Sequence, residues 1–235
     1  MITQNVKENI KQAVYVANER TFLYQKLRVF ADQLDKKRIL DIGAGHQHYR
    51  PLFETKNTYE ACDLESGFHQ EKKPDFYASV YAIPREKETY DVVLLLQVLE
   101  HLEFPLDGLK EIHRILKKGG RVFISVPQAA GDHFEPHHYF NYTQYGLQSV
   151  LRQSGFRILE QYRLSGMFAY VGNRLYKLGI MTYKQYNWRQ EFLQKLIALP
   201  FHLACSLTGY LISLFNFVDK KKNYCIGHIV IAQKD

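Results

Sequence analysis

Two carboxylates and two glycines carry the first chemistry in this chain. In Arg38-Ile-Leu-Asp-Ile-Gly-Ala-Gly45 a short apolar run contains Asp41 and opens into Gly43-Ala44-Gly45. Glycine takes positive φ without steric cost and has no Cβ, so such a loop turns tightly and lets a nucleotide-like ligand lie against its backbone. The third glycine of a dinucleotide fingerprint is missing near Gln47. Asp63 ends the next apolar run, Tyr59-Glu-Ala-Cys-Asp63, about twenty positions on, where a carboxylate can bind ribose hydroxyls. Leu64 follows it, and Ser79-Val80 and Gln97 fall just beyond two further strand-like runs. Asp41, Gly43, Ala44, Gly45, Asp63, Leu64, Ser79, Val80 and Gln97 are therefore the candidate ligand-binding set. A second group, His101, His133 and His138 with Asp132, Glu135 and His137 close by, offers side chains able to take a proton. Histidines in a polar loop are also commonly just solvated, and the sequence leaves both readings open. Glu100-His101 falls short of a Glu-x-x-Glu-His metal motif because Gln97 stands at the first glutamate, so no metal is assigned.

These residues need elements to position them. Apolar residues at helical spacing (Ile10, Val14, Ala17, Phe22, Leu23, Leu27, Phe30) predict one or two amphipathic helices before residue 35. Strands are predicted at 39–42, 59–62, 75–78, 91–96, 121–126, 157–163 and 225–232. Helices are predicted at 48–53, 106–116 and 143–154, the second ending in Lys117-Lys118-Gly119-Gly120 and the third capped by Thr143. Asp91-Val-Val-Leu-Leu-Leu96 is apolar without alternation, as a central strand covered on both faces must be. Alternating strands and helices imply a doubly wound, mostly parallel α/β sheet, with its ligand crevice at the carboxyl ends of the strands.

Length and charge set the limits. The 235 residues suit one large domain, or one carrying an insertion. Cys62, Cys205 and Cys225 are odd in number and lack ligand spacing, which points away from a disulfide framework and fits a reduced, cytoplasmic setting. The amino terminus is charged and helix-like, without the apolar core of a signal peptide. Residues 1–160 hold 21 Lys+Arg against 21 Asp+Glu, so the formal excess of +7 lies entirely in the last third. That third also contains residues 196–218 without one formally charged side chain. Basic residues beside an apolar run suit an anionic membrane surface rather than nucleic acid. A single transmembrane span is long enough on paper, but strands on either side of the segment must pair and hold both its ends on one side. An interfacial or re-entrant helical pair, with Lys220-Lys221-Lys222 at headgroup level, satisfies both constraints. The alternatives are a buried subdomain helix or a homodimer contact.

The chain resembles the class I S-adenosylmethionine-dependent methyltransferases of the small-molecule, type 11 kind. Ile39-Leu-Asp-Ile-Gly-Ala-Gly45 is similar to their glycine loop, and Asp63 to the acidic residue that holds the ribose. Ala78-Ser79-Val80-Tyr81-Ala82-Ile83-Pro84 resembles the segment flanking adenine. Tyr90-Asp-Val-Val-Leu, Val98-Leu-Glu-His101 and Leu116-Lys-Lys-Gly-Gly-Arg-Val-Phe-Ile124 resemble the regions of the fourth and fifth strands. The resemblance implies a Rossmann-like sheet of seven strands in the order 3-2-1-4-5-7-6, the last antiparallel, and S-adenosyl-L-methionine as cofactor. It divides the chain into an amino-terminal helical segment (1–36), a cofactor-binding core (37–163), a helical insertion (164–222) and a final strand (223–235). Ser79 stands where the family usually has an aspartate, and His46-Gln47-His48 replaces small residues after Gly45. Tyr139-Phe-Asn-Tyr-Thr143, with Gly146-Leu147 and Gly155-Phe156, is similar to methyltransferases of cell-surface glycan and lipid pathways. The implied activity is methylation, at oxygen, of a small or lipid-linked acceptor, with His101, His138 or His133 as base and no nucleic acid as substrate. The alternative is a non-catalytic cofactor-binding or assembly subunit of the same fold. Peripheral attachment to the inner face of a membrane through 196–222 completes the expectation.

Overall fold

The structure, a computed structural model, describes residues 19–65, 72–185 and 192–235. The part of the expected amino-terminal helix that precedes residue 19 lies outside them. Seven strands form one sheet: β1 (Arg38–Ile42), β2 (Thr58–Asp63), β3 (Phe76–Tyr77), β4 (Tyr90–Leu96), β5 (Leu116–Pro127), β6 (Phe156–Leu164) and β7 (Gly227–Lys234). Their order is β3-β2-β1-β4-β5-β7-β6, with β7 antiparallel to β5, as the resemblance implies. Val92, Val93, Leu94 and Leu95 of β4 are all buried, which explains why that strand shows no polar alternation.

Register sets up the site. Ile42 pairs with Cys62 on one side and Leu95 on the other, so β1, β2 and β4 end side by side. Helix α1 (Glu19–Asp32) sends Leu23, Leu27 and Phe30 inward, with Phe30 5.2 Å from the Phe123 ring on β5. The short helix α2 (Arg50–Phe53) follows the glycine loop. Helix α3 (Pro105–Ile115) buries Leu109, Ile112 and Ile115, and α4 (Gln144–Gln153) begins where the Thr143 hydroxyl accepts the Gly146 N–H at 3.1 Å.

Most boundaries fall within two residues of the sequence expectation, and the start of β5 differs most. Helix α3 ends at Ile115, one residue from the expected stop, but the lysine–glycine run that follows already belongs to β5. Leu116 is already extended and pairs with Tyr90, burying its side chain, while Lys117 reaches the Asp91 carboxylate at 3.0 Å. Gly119, at φ +72°, lies in the irregular stretch before pairing resumes at Arg121. Packing and an ion pair with the neighbouring strand draw the residues just after the helix into the sheet.

Arg163–Ile226 packs as part of a second compact unit. It contains α5 (Met167–Lys184), α6 (Phe192–Ser213) and a 3-10 turn (Leu214–Phe217). The two helices meet through small residues. A Cβ on Gly172 would overlap the Gly209 carbonyl oxygen, and one on Gly209 would lie 2.5 Å from that of Gly172. Further along, a Cβ on Gly179 would lie 2.9 Å from Cys205 Cβ. The Asp219 carboxylate accepts the Met167 N–H at 2.6 Å and the Lys222 N–H at 2.9 Å, which holds its pKa below the ordinary value and places negative charge at the start of α5. The outward face is apolar: Ile197 is 74%, Leu207 61% and Phe217 79% exposed.

Candidate functional site

The glycine loop leaves β1 directly over the end of β2. The Gly43 and Ala44 N–H groups donate to the Cys62 carbonyl at 2.8 and 3.2 Å, and the Gly45 N–H donates to Asp63 Oδ2 at 2.9 Å. The other carboxylate oxygen of Asp63 accepts the Leu64 N–H at 2.8 Å. Gly43 and Gly45 hold φ of +66° and +49°, conformations that side chains resist. They differ in what surrounds them. A Cβ on Gly43 would lie 2.5 Å from Val98 Cγ2, whereas one on Gly45 would meet nothing within 4 Å. Gly43 is thus required by packing against the segment after β4, and Gly45 faces open space beside the Asp63 carboxylate.

The other candidates come to the same edge. Ala78 donates to the Asp63 carbonyl at 3.0 Å, which brings Ser79 alongside. The Ser79 carbonyl accepts the Ala82 N–H at 3.0 Å and its hydroxyl accepts the Tyr81 N–H at 3.3 Å, while Val80 is buried. Gln97 ends β4 at φ +57°, held by its N–H to the Ser125 carbonyl (2.9 Å) and its amide to the Ser125 hydroxyl (3.1 Å). A non-glycine residue in that conformation is a local cost that the surrounding bonds must support.

Asp41 is only 3% exposed, inside β1, and takes a hydrogen bond from the Tyr59 hydroxyl. Burial raises its pKa to about 7, the Tyr59 bond opposing this and the Asp63 charge adding to it. Tyr59 escaped notice as a partner. Since Asp41 pairs with Ala61 and Ile39 with Tyr59, the strand period of two places Tyr59 on the face of Asp41, a relation visible once the register is known.

The imidazoles converge as well. His101 closes a 3-10 turn (Leu99–His101) three residues beyond Val98, the side chain that packs on Gly43. The loop after β5 folds back on this turn: the Tyr139 and Phe140 N–H groups reach the Glu100 carbonyl at 2.9 and 3.2 Å. His133 lies 4.8 Å from His101 between ring centroids, and His138 lies 4.3 Å from His133. His101 Nδ1 is 2.6 Å from the His137 carbonyl and His133 Nδ1 is 3.0 Å from that of Gly131. Carbonyls only accept, so each Nδ1 carries a proton, and in the neutral ring each Nε2 keeps its lone pair. Burial, with the neighbouring histidines, pulls the His101 pKa below its ordinary value against the His137 carbonyl bond. His138 has a side chain only 3% exposed, its Nδ1 3.6 Å from Asp132. In the adjoining aromatic run only Tyr142 is buried; Tyr139, Phe140 and Tyr145 are exposed.

Comparison with known proteins gives the geometry a context. The family described as methyltransferase domain matches residues 15–161. An uncharacterised protein of Methanocaldococcus jannaschii is 28% identical over 123 residues, covering 50% of this chain and 53% of that protein. The chain therefore spans about half the length of the curated relative it matches. Among solved structures, a Burkholderia thailandensis 1,6-didemethyltoxoflavin-N1-methyltransferase with bound S-adenosylhomocysteine superposes at TM-score 0.54, with 15% identity over 90% of this chain and 77% of that one. A Haemonchus contortus phosphoethanolamine N-methyltransferase, in complex with phosphomonomethylethanolamine and S-adenosylhomocysteine, gives 0.52 and 15% over 88% and 51%. The [4+2]-cyclase SpnF gives 0.56 and 16% over 90% and 80%. At these identities the structures speak to the fold alone.

Proposed function

The chain belongs to the methyltransferase domain family, and from that premise we propose that it methylates an oxygen of a small or lipid-linked acceptor at a membrane surface. Family and sheet order make it a class I S-adenosylmethionine-dependent methyltransferase. The observation that supports the placement of the cofactor is the Gly45–Asp63 junction, where a backbone without Cβ borders open space beside a strand-end carboxylate. Asp63 would take the ribose hydroxyls, Gly43–Gly45 and Asp41 the methionine part, and Leu64, Ser79, Val80 and Gln97 would border the nucleoside. When bound, S-adenosylmethionine supplies a sulfonium methyl group open to in-line attack. The chain's part is to position the acceptor, exclude water and manage the acceptor's proton. His101, His133 and His138 suit the last task, since two of them keep Nε2 lone pairs beside the segment that packs on the glycine loop.

The membrane part of the reading rests on the helical unit. Phe192–Phe217 is, among the described residues, the one helix long and apolar enough to cross a membrane, and little of it is buried. The chain leaves β6 at Leu164 and returns beside it, the Ile226 N–H bonding the Leu164 carbonyl at 3.0 Å, so both ends stay on one side. A helix pair lying in the interface, with Lys220, Lys221 and Lys222 near anionic headgroups, suits that path. Cys62 and Cys205 are free thiols, in keeping with the cytoplasmic face.

The test is transfer of label from radiolabelled S-adenosylmethionine into a cell extract, followed by phase separation. Label in the organic phase supports a lipid-linked acceptor, and label in the polar small-molecule phase supports a small one. Label in RNA refutes the acceptor class, and no label with intact cofactor binding leaves a non-catalytic subunit. With the product in hand, His101→Ala should lower turnover by roughly a hundredfold while leaving cofactor affinity nearly unchanged.

A further inference from the structure

The imidazole group is built as more than a proton acceptor. One ligand atom each from Glu100, His101 and His133 lies within 4.8 Å of the others. Two features beyond proximity single this group out. Both His101 and His133 turn Nδ1–H onto a backbone carbonyl, of His137 and Gly131. That is how metal-binding histidines are oriented, since the second bond fixes the tautomer and aims the Nε2 lone pair. The buried His138 ring adds a third imidazole, with neither ring nitrogen hydrogen-bonded. The backbone holds the donors in advance, because the Tyr139 and Phe140 N–H bonds to the Glu100 carbonyl clamp the histidine loop onto the turn that carries Glu100 and His101.

We propose that Glu100, His101 and His133, with His138 as a further ligand, bind one first-row divalent transition-metal ion. Imidazole nitrogens with one carboxylate form a donor set suited to zinc, cobalt or iron rather than to calcium or magnesium, which prefer all-oxygen shells. The fully buried Glu100 carboxyl group supplies the oxygen donor of the set. The role of the ion rests on the methyl-transfer reading, although its binding does not. An acceptor hydroxyl coordinated to the ion loses its proton to solvent more readily, and the resulting oxygen is held beside the glycine loop for attack. A coordinated imidazole then orients the acceptor instead of taking its proton.

Metal binding is tested without activity. The purified full chain is stripped with chelator and titrated with cobalt(II), followed by its visible absorption and by competition with zinc(II). One cobalt per chain, displaced by zinc and weakened roughly tenfold or more in His133→Ala and His101→Ala, is the expected result. His48→Ala, an exposed histidine whose ring lies 5.2 Å from that of His46, should bind as the wild type does. Circular dichroism checks that the variants fold; His133 is chosen because Glu100 is wholly buried and its replacement risks the fold. Absence of saturable binding, or binding lost in His48→Ala and kept in His133→Ala, overturns the site. Either outcome leaves methyl transfer itself to be judged by the label experiment.

Discussion

Replacing Asp41 with asparagine should change how stability depends on pH, in a direction the burial of this group dictates. An aspartate in the unfolded chain titrates near 3.9, whereas burial raises Asp41 to about 7 in the fold. Between those values the folded protein holds a proton that the unfolded chain has released. Stability must therefore fall as pH rises from about 4 to about 7, and level off above it. With about 1.4 kcal/mol for each pH unit between the two pKa values, the full fall is roughly 4 kcal/mol, an upper figure because water and small movements relax a buried charge. Asparagine keeps an oxygen for the Tyr59 hydroxyl and cannot ionise. Its own amide hydrogens need partners, so the variant should be less stable than the wild type near pH 5 by about 1 kcal/mol. By pH 8 it should match or exceed the wild type. Urea unfolding at pH 5, 6, 7 and 8, at constant ionic strength and without cofactor, measures the difference directly. A difference that stays the same across that range would falsify the raised pKa and the linkage drawn from it.

The two glycines of the loop should separate packing from ligand space. Gly43→Ala, which meets Val98 as well as an unfavourable φ, should cost about 2–4 kcal/mol of stability, and Gly45→Ala nearer 1; calorimetry should show Gly45→Ala losing cofactor affinity out of proportion to its small effect on unfolding. Asp63→Ala should weaken S-adenosylmethionine binding by about 1.5–3 kcal/mol, the range for a hydrogen bond to a charged group, and wild-type affinity would remove Asp63 from the ribose site. Gly172→Leu places a side chain where the Gly209 carbonyl already stands, so α5 and α6 must part; differential scanning calorimetry should register a loss of 3 kcal/mol or so, and an unchanged melting temperature would contradict the close helix contact. Leu207→Asp should abolish flotation of the protein with anionic vesicles, and high salt should weaken only the contribution of Lys220, Lys221 and Lys222; a folded wild type that does not float refutes the membrane reading.

Much of the architecture follows from local pattern. The unbroken apolar run of β4, the glycines after Ile42 and the cap at Thr143 each act within a few residues, so the sequence alone predicts a mostly parallel sheet with a glycine loop, Gly43–Gly45, leaving a strand end near Asp63. Strand order came from resemblance, and the observed sheet has it. Tertiary structure decided three matters. The start of β5 moved forward to Leu116 because its buried side chain and the Lys117–Asp91 pair draw the residues after the helix end into the sheet. Asp41 became a buried, Tyr59-bonded group because adjacent strands set its surroundings, which one strand's sequence does not contain. The convergence of Glu100, His101, His133 and His138 has no spacing signature, since a loop more than thirty positions downstream returns through backbone bonds to the Glu100 carbonyl. Local periodicity is written in neighbouring residues; the meeting of distant side chains depends on where the sheet sends each loop, and only the folded chain holds that information.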